Sequence, residues 1–95
     1  MRHMRAHPIL HEKQTFGSGI VEIVVWQVAS PVPPAEHRFK YRLVYVVDGL
    51  RVVGYDNERG KGDHKHIDGV ERPYEFTDAA TLLADFWEDV KRAKR

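Results

Sequence analysis

Cysteine is absent from the chain. That excludes a disulfide framework and every thiolate metal site, so a core has to come from aliphatic and aromatic packing alone. Long hydrophobic runs are missing too, and nothing approaches the ~20 apolar residues that a membrane-spanning helix needs. The basic start, Met1-Arg2-His3-Met4-Arg5, leads into no signal-peptide stretch. There is little excess charge, since 15 Lys and Arg stand against 14 Asp and Glu for a net charge of +1. This argues against a protein that coats nucleic acid through positive field alone. Repeats, low-complexity tracts and a Walker-type phosphate loop are also lacking. A soluble, cytoplasmic protein of one small domain is the expectation, because 95 residues lies near the lower limit for burying a core.

What is present reads as α+β. Residues 1–8 carry little pattern, Pro8 delays regular structure, and this segment is expected to be mobile. Ile9–Phe16 suits a short strand that Gly17-Ser18-Gly19 reverses into Ile20–Val28. The second run is apolar on both sides, which predicts a central strand covered on both faces. Pro31, Pro33 and Pro34 keep the next segment out of any ladder and make it a stiff connector. Phe39–Val47 and Leu50–Asn57 flank Asp48-Gly49, the favoured two-residue hairpin turn. A regular ladder from that turn sets Val47 against Leu50, Leu43 against Gly54, Tyr41 against Asp56, Arg42 against Tyr55 and Lys40 against Asn57. Glu71–Phe76 reads as a last short strand.

Thr77-Asp78 then caps a helix to about Lys91, with Ala79, Leu82, Leu83, Phe86 and Val90 on one stripe and Trp87 at its margin. The expected architecture is an antiparallel sheet of about five strands with this C-terminal helix packed across it. The domain spans residues 9–92, and residues 93–95 form a basic tail expected to fray.

The chemistry gathers in Tyr55–His66, which holds carboxylates, an amide, cations, two glycines and a His-x-His pair. No packing demand explains that composition, and the segment reads as a loop. Alternate residues of an extended segment point to one side, so His64 and His66 can address a common point. They suit a general acid and base, since unperturbed imidazole titrates near ~6.5. They suit equally two ligands of a divalent metal with Asp56 or Asp63 as a third, or ordinary solvated loop histidines. Gly60-Lys61-Gly62 can turn backbone N–H groups toward an anion, and Arg59, Lys65 and Arg72 stand close in sequence. Asp56 can orient an imidazole, Tyr74 can stack on a base, and the open hairpin end brings up Arg42 and Asn57. Together these groups match what RNA phosphodiester cleavage requires: a base for the 2′-OH, an acid for the leaving oxygen, and cations for the phosphorane.

The segments Phe39–Gly49, Arg51–Glu58, Gly60–His66 and Glu71–Phe76 carry Asp-Asn, Gly-Asp-His-x-His and Glu-x-x-Tyr-x-Phe in that order. In this the chain resembles the TumE-like family over roughly residues 9–91. These are small bacterial proteins classed as toxins of toxin–antitoxin pairs, usually encoded beside a helix-turn-helix antitoxin. Tyr41, Asp56, Asn57, Gly62, Asp63, His64, His66, Glu71 and Tyr74 are the matched positions. The resemblance implies a toxin, and analogy with other small toxins implies ribonuclease action.

The resulting expectation is a metal-independent ribonuclease without a cofactor. His64, His66 and Asp56 are its catalytic residues, and Lys61, Lys65, Arg72, Tyr74, Asn57 and Arg42 hold the substrate. An antitoxin and RNA are the expected partners, and a homodimer is a further one. A non-enzymatic binding module and a metal-dependent nuclease are the competing readings.

Overall fold

The computed structural model describes residues 6–95. The Asp48-Gly49 signal forms the turn it predicts, with both residues at positive φ, 52° and 76°. It joins β3 (Phe39–Val47) to β4 (Leu50–Glu58). Around this hairpin lie β1 (Ala6–Phe16), β2 (Gly19–Val28), β5 (Gly62–Ile67), β6 (Val70–Pro73) and α1 (Ala79–Arg92). The strands form one sheet in chain order, each antiparallel to the next. The α+β expectation therefore holds, with six strands in place of about five.

The additional strand is β5, which corrects the reading of Tyr55–His66 as a loop. Gly60 and Gly62, at φ 87° and 79°, turn the chain tightly, and Lys61 N–H closes the turn on the Glu58 carbonyl at 3.0 Å. The segment then pairs with β4 on one side and β6 on the other. Ladder hydrogen bonds are made by the backbone, so a polar strand forms once two neighbours are in place. β2 also departs from expectation. Val21, Ile23 and Val25 are buried while Ile20 and Trp26 are exposed, so it is covered on one face and lies next to the edge strand. β1 starts at Ala6, ahead of Pro8, because an outer edge strand tolerates a missing donor. Residues 1–5 of the segment expected to be mobile lie outside the described residues.

α1 supplies the core lid. Leu82, Phe86 and Val90 are fully buried against Leu43, Val53 and Tyr55, while Leu83 and Trp87 pack at the margin. Asp78 caps it by accepting from Thr81 N–H at 2.7 Å. The basic end does not hang free: the Arg95 carbonyl accepts from Ser18 N–H at 2.6 Å, and its guanidinium reaches Asp68 at 2.8 Å.

The β3–β4 register follows the expected pairing only next to the turn. Val47 faces Leu50 and Val46 faces Arg51, but Tyr45 then faces Val53 rather than Val52. Val52 is an extra residue, a β-bulge, and both Val52 and Val53 are buried. One inserted residue changes the parity of everything beyond it. Asp56 accordingly pairs with Arg42, not Tyr41, and Leu43 with Tyr55. Tyr41 goes to the helix-covered face and Asp56 to the opposite, uncovered one.

Two tests follow from this packing. Phe86→Ala is expected to cost roughly 3–5 kcal/mol in chemical denaturation, as for a fully buried aromatic, and a near-neutral result would remove α1 from the core. The capping bonds hold the Asp78 carboxyl below its ordinary value, first through the Thr81 backbone N–H. A depressed folded value contributes stability that is complete above the ordinary carboxylate value of 3.8 and fades as pH falls through the folded one. Asp78→Ala should therefore lower Tm at neutral pH, with the gap from the native chain closing in strong acid.

Candidate functional site

The register sets two rows of side chains on the uncovered face. Arg42, Asp56, His64 and Pro73 follow one another across β3 to β6, and Val44, Gly54, His66 and Glu71 form the adjacent row. His64 is buried, with 4% of its surface exposed. Its Nδ1 lies 3.0 Å from the Gly62 carbonyl, which can only accept, so Nδ1 carries a proton. Its Nε2 stands 2.5 Å from Asp56 Oδ1, and Glu58 Oε1 is 3.8 Å away on the outside. Asp56 Oδ1 is itself buried and receives no hydrogen bond of good geometry. The two atoms are therefore in close contact without a hydrogen bond of good geometry between them.

The His66 ring lies edge-on to that of His64, with centroids 5.2 Å apart. Burial lowers the His66 pKa from its ordinary value, and the Arg51 guanidinium lowers it further. Arg51 reaches this place across Gly54: a Cβ on Gly54 would lie 2.7 Å from Arg51 Cδ. The bulge at Val52 is what brings residues 51 and 54 to the same side. Lys61 and Glu71 are paired at 3.0 Å at the rim. That bond raises the Lys61 pKa and lowers that of Glu71. A shallow cleft of about 400 Å³ is lined there by Lys61, His64, Glu71 and Arg72.

The other expected site residues lie elsewhere. Asn57 is fully buried; its Oδ1 accepts from Tyr41 N–H at 3.0 Å and its Nδ2 donates to the Phe39 carbonyl at 2.7 Å. Its amide thus replaces ladder bonds of β3 and is closed to a substrate. Lys65 is on the helix-covered face, where its Nζ meets Asp89 at 3.1 Å. Tyr55 donates to the same carboxylate at 2.5 Å, and Tyr74 donates to Asp85 at 2.6 Å. Burial first, then these bonds, push both phenols above the ordinary tyrosine value. Lys65 and Tyr74 therefore join the sheet to α1.

Asp63, weighed as a third metal ligand, also faces this side. It accepts from the Tyr41 hydroxyl at 2.8 Å and from His37 Nε2 at 2.7 Å, while the His37 ring stacks on Phe76 at 3.8 Å. The proline-rich connector is held by this clasp and by Gly60 N–H donating to the Pro33 carbonyl at 2.9 Å. Arg51 and the clasp histidine His37 escaped the sequence reading. A glycine inside the apolar run Val52-Val53-Gly54-Tyr55 was the available signal for Arg51, since such a glycine marks close approach of another group.

A small antiparallel sheet with one lidding helix and a polar cluster on its uncovered face defines a compact protein with a solvent-facing site. A family model described as Toxin TumE matches residues 4–94. The chain belongs to the TumE toxin family, and the role that membership carries is that of a toxin, with an antitoxin as its implied partner. No curated protein and no solved structure matches the chain. Among the described residues, no helix is long and apolar enough to cross a membrane.

The placement of Asn57 gives a test. Asn57→Ala should destabilise the fold by about 1–3 kcal/mol in urea, the cost of leaving the Tyr41 N–H and Phe39 carbonyl unpaired. An unchanged midpoint with lost toxicity would return Asn57 to a substrate-facing role.

Proposed function

We propose that this chain is the toxin of a bacterial toxin–antitoxin pair, that it acts inside the cell on RNA, and that it cleaves phosphodiester bonds at the Asp56–His64–His66 cluster. The observation carrying this reading is the convergence of these three groups on an uncovered sheet face, between Arg42 and Arg51. Cleavage needs proton transfer at the attacking and leaving oxygens, and positive charge for the phosphorane. Run without a metal, the site offers His66 as the group that takes the proton of the attacking 2′-OH and returns it to the leaving oxygen. Its ring has no hydrogen-bond partner among the described residues, whereas both His64 nitrogens are engaged. In that form His64 is a positioning residue, tied by Gly62 and Asp56. Arg42, Arg51 and, at the rim, Lys61 supply the positive charge, with Lys61 leaving Glu71 to do so, while Arg72 pairs with Lys65 across β5 and β6 and belongs to the other face by register. A helix-turn-helix antitoxin is the partner class proposed for neutralisation.

The test is induction of the chain in cells with total RNA followed through growth arrest, then incubation of purified protein with labelled RNA. His66→Ala and Asp56→Asn are each expected to lose arrest and cleavage together. His66→Ala should stay within about 1 kcal/mol of native stability, as for a side chain outside the core. Arrest that persists in folded variants, or arrest with intact RNA, would move the function to a non-enzymatic binding surface.

A further inference from the structure

We propose that Asp56, His64 and His66 form a binding site for one divalent transition-metal ion of the zinc class. The inference rests on the preceding reading only in taking this cluster as the functional centre; occupancy can be measured without any activity. One donor atom from each residue lies within 4.8 Å of the other two. The three side chains come from the paired strands β4 and β5 on one face, so the sheet sets their spacing without a flexible loop.

The arrangement of donor atoms suits a cation between them. The Gly62 carbonyl accepts the Nδ1 proton of His64 in a hydrogen bond, so in the neutral ring the lone pair is on Nε2. Nε2 faces Asp56 Oδ1, a buried acceptor without a donor, 2.5 Å away. Two acceptors in such contact need a positive charge shared between them, either a second imidazole proton or a metal. The surroundings suit the metal. A ligating histidine characteristically donates its remote N–H to a carbonyl or carboxylate, which fixes the tautomer and orients the ring, and His64 does this to Gly62. Gly62 is held in turn by its positive φ and by Pro34 packed over it.

Two imidazoles and one carboxylate form a familiar nitrogen–oxygen donor set for divalent zinc, iron, cobalt or nickel, with positions left for water or substrate. Bonds of ~2.0–2.1 Å at tetrahedral angles put donors roughly 3.3 Å apart. The Asp56–His64 contact has to open by under about 1 Å and the third donor to close inward, both within side-chain rotation on fixed strands. Glu58, at 3.8 Å from His64 Nε2, stands at the solvent side where a fourth oxygen would enter. In the holo site His66 is a ligand, and polarisation of a phosphate oxygen or of water passes to the ion.

The experiment is titration of chelator-stripped full-length protein with Zn2+ by calorimetry, repeated with Co2+ to read its visible absorption. One equivalent should bind and raise Tm, with the intense Co2+ bands of a four-coordinate site. Asp56→Asn and His66→Ala each remove or weaken a ligand and should lower affinity by at least the ~10–100-fold that follows loss of a hydrogen-bonding partner of a ligand. His64→Ala is less informative because the residue is buried, so the other two variants carry the test. Absence of saturable binding, or binding that both variants retain, would overturn the proposal and leave the Asp56–His64 contact as a protonated ion pair. The two readings separate cleanly. Cleavage by metal-free protein that binds no Zn2+ rejects the metal and keeps the ribonuclease. Specific Zn2+ binding without RNA cleavage keeps the metal site and rejects the ribonuclease.

Discussion

The extra residue at Val52 is the constraint on which the arrangement of this sheet depends. Side chains alternate along a strand, so one inserted residue in β4 exchanges the two faces for every residue beyond it. Without it, Asp56 would lie with Tyr41 under the helix, and Tyr55 would point to solvent. With it, Tyr55 enters the core beside Phe86, their rings 5.6 Å apart and edge-on, while Asp56 emerges opposite His64. The same insertion turns Arg51 toward the face that Gly54 leaves bare. The buried amide of Asn57 then matches the shifted strand to the β3 backbone. Packing and site geometry thus share one cause.

The two faces have become chemically distinct. The helix-covered face is apolar at its centre and bordered by fully engaged polar groups: Tyr55, Lys65 and Asp89 at one place, Tyr41, His37 and Asp63 at another. Buried polar groups that find partners rigidify a structure and specify one arrangement. The uncovered face holds groups without complete partners, and there chemistry is available. An antiparallel sheet allows this division because one of its faces can remain in water. For a chain with a net charge of only +1, the division also places Arg42 and Arg51 together on one face, a local positive group within a nearly neutral molecule.

Several elements could be read from local sequence because their causes are local. Asp48-Gly49 accepts the positive φ of its turn, Asp78 caps the next helix, and Leu82, Phe86 and Val90 recur at helical spacing. The grouping of chemistry-bearing residues around Asp56, His64 and His66 was legible from composition, and the structure brings these three side chains together. β5 was not legible, since its residues have little preference for strand and take that form from the neighbours they pair with. Lys65, Tyr74 and Asn57 were indistinguishable from substrate-binding residues in sequence. Their partners Asp89, Asp85 and Tyr41 lie 24, 11 and 16 residues away along the chain.

The sequence by itself determined the class of fold, the hairpin turn, the helix with its cap and buried stripe, and the family. These depend on backbone preferences and periodicities within a few residues, and on motif order along the chain. The tertiary structure alone decided which face each polar side chain occupies, that Arg51 crosses Gly54, and that the His64 ring lies between the Gly62 carbonyl and Asp56. Those outcomes turn on one bulge and on contacts between distant strands, and parity across a sheet exists only once its strands have paired.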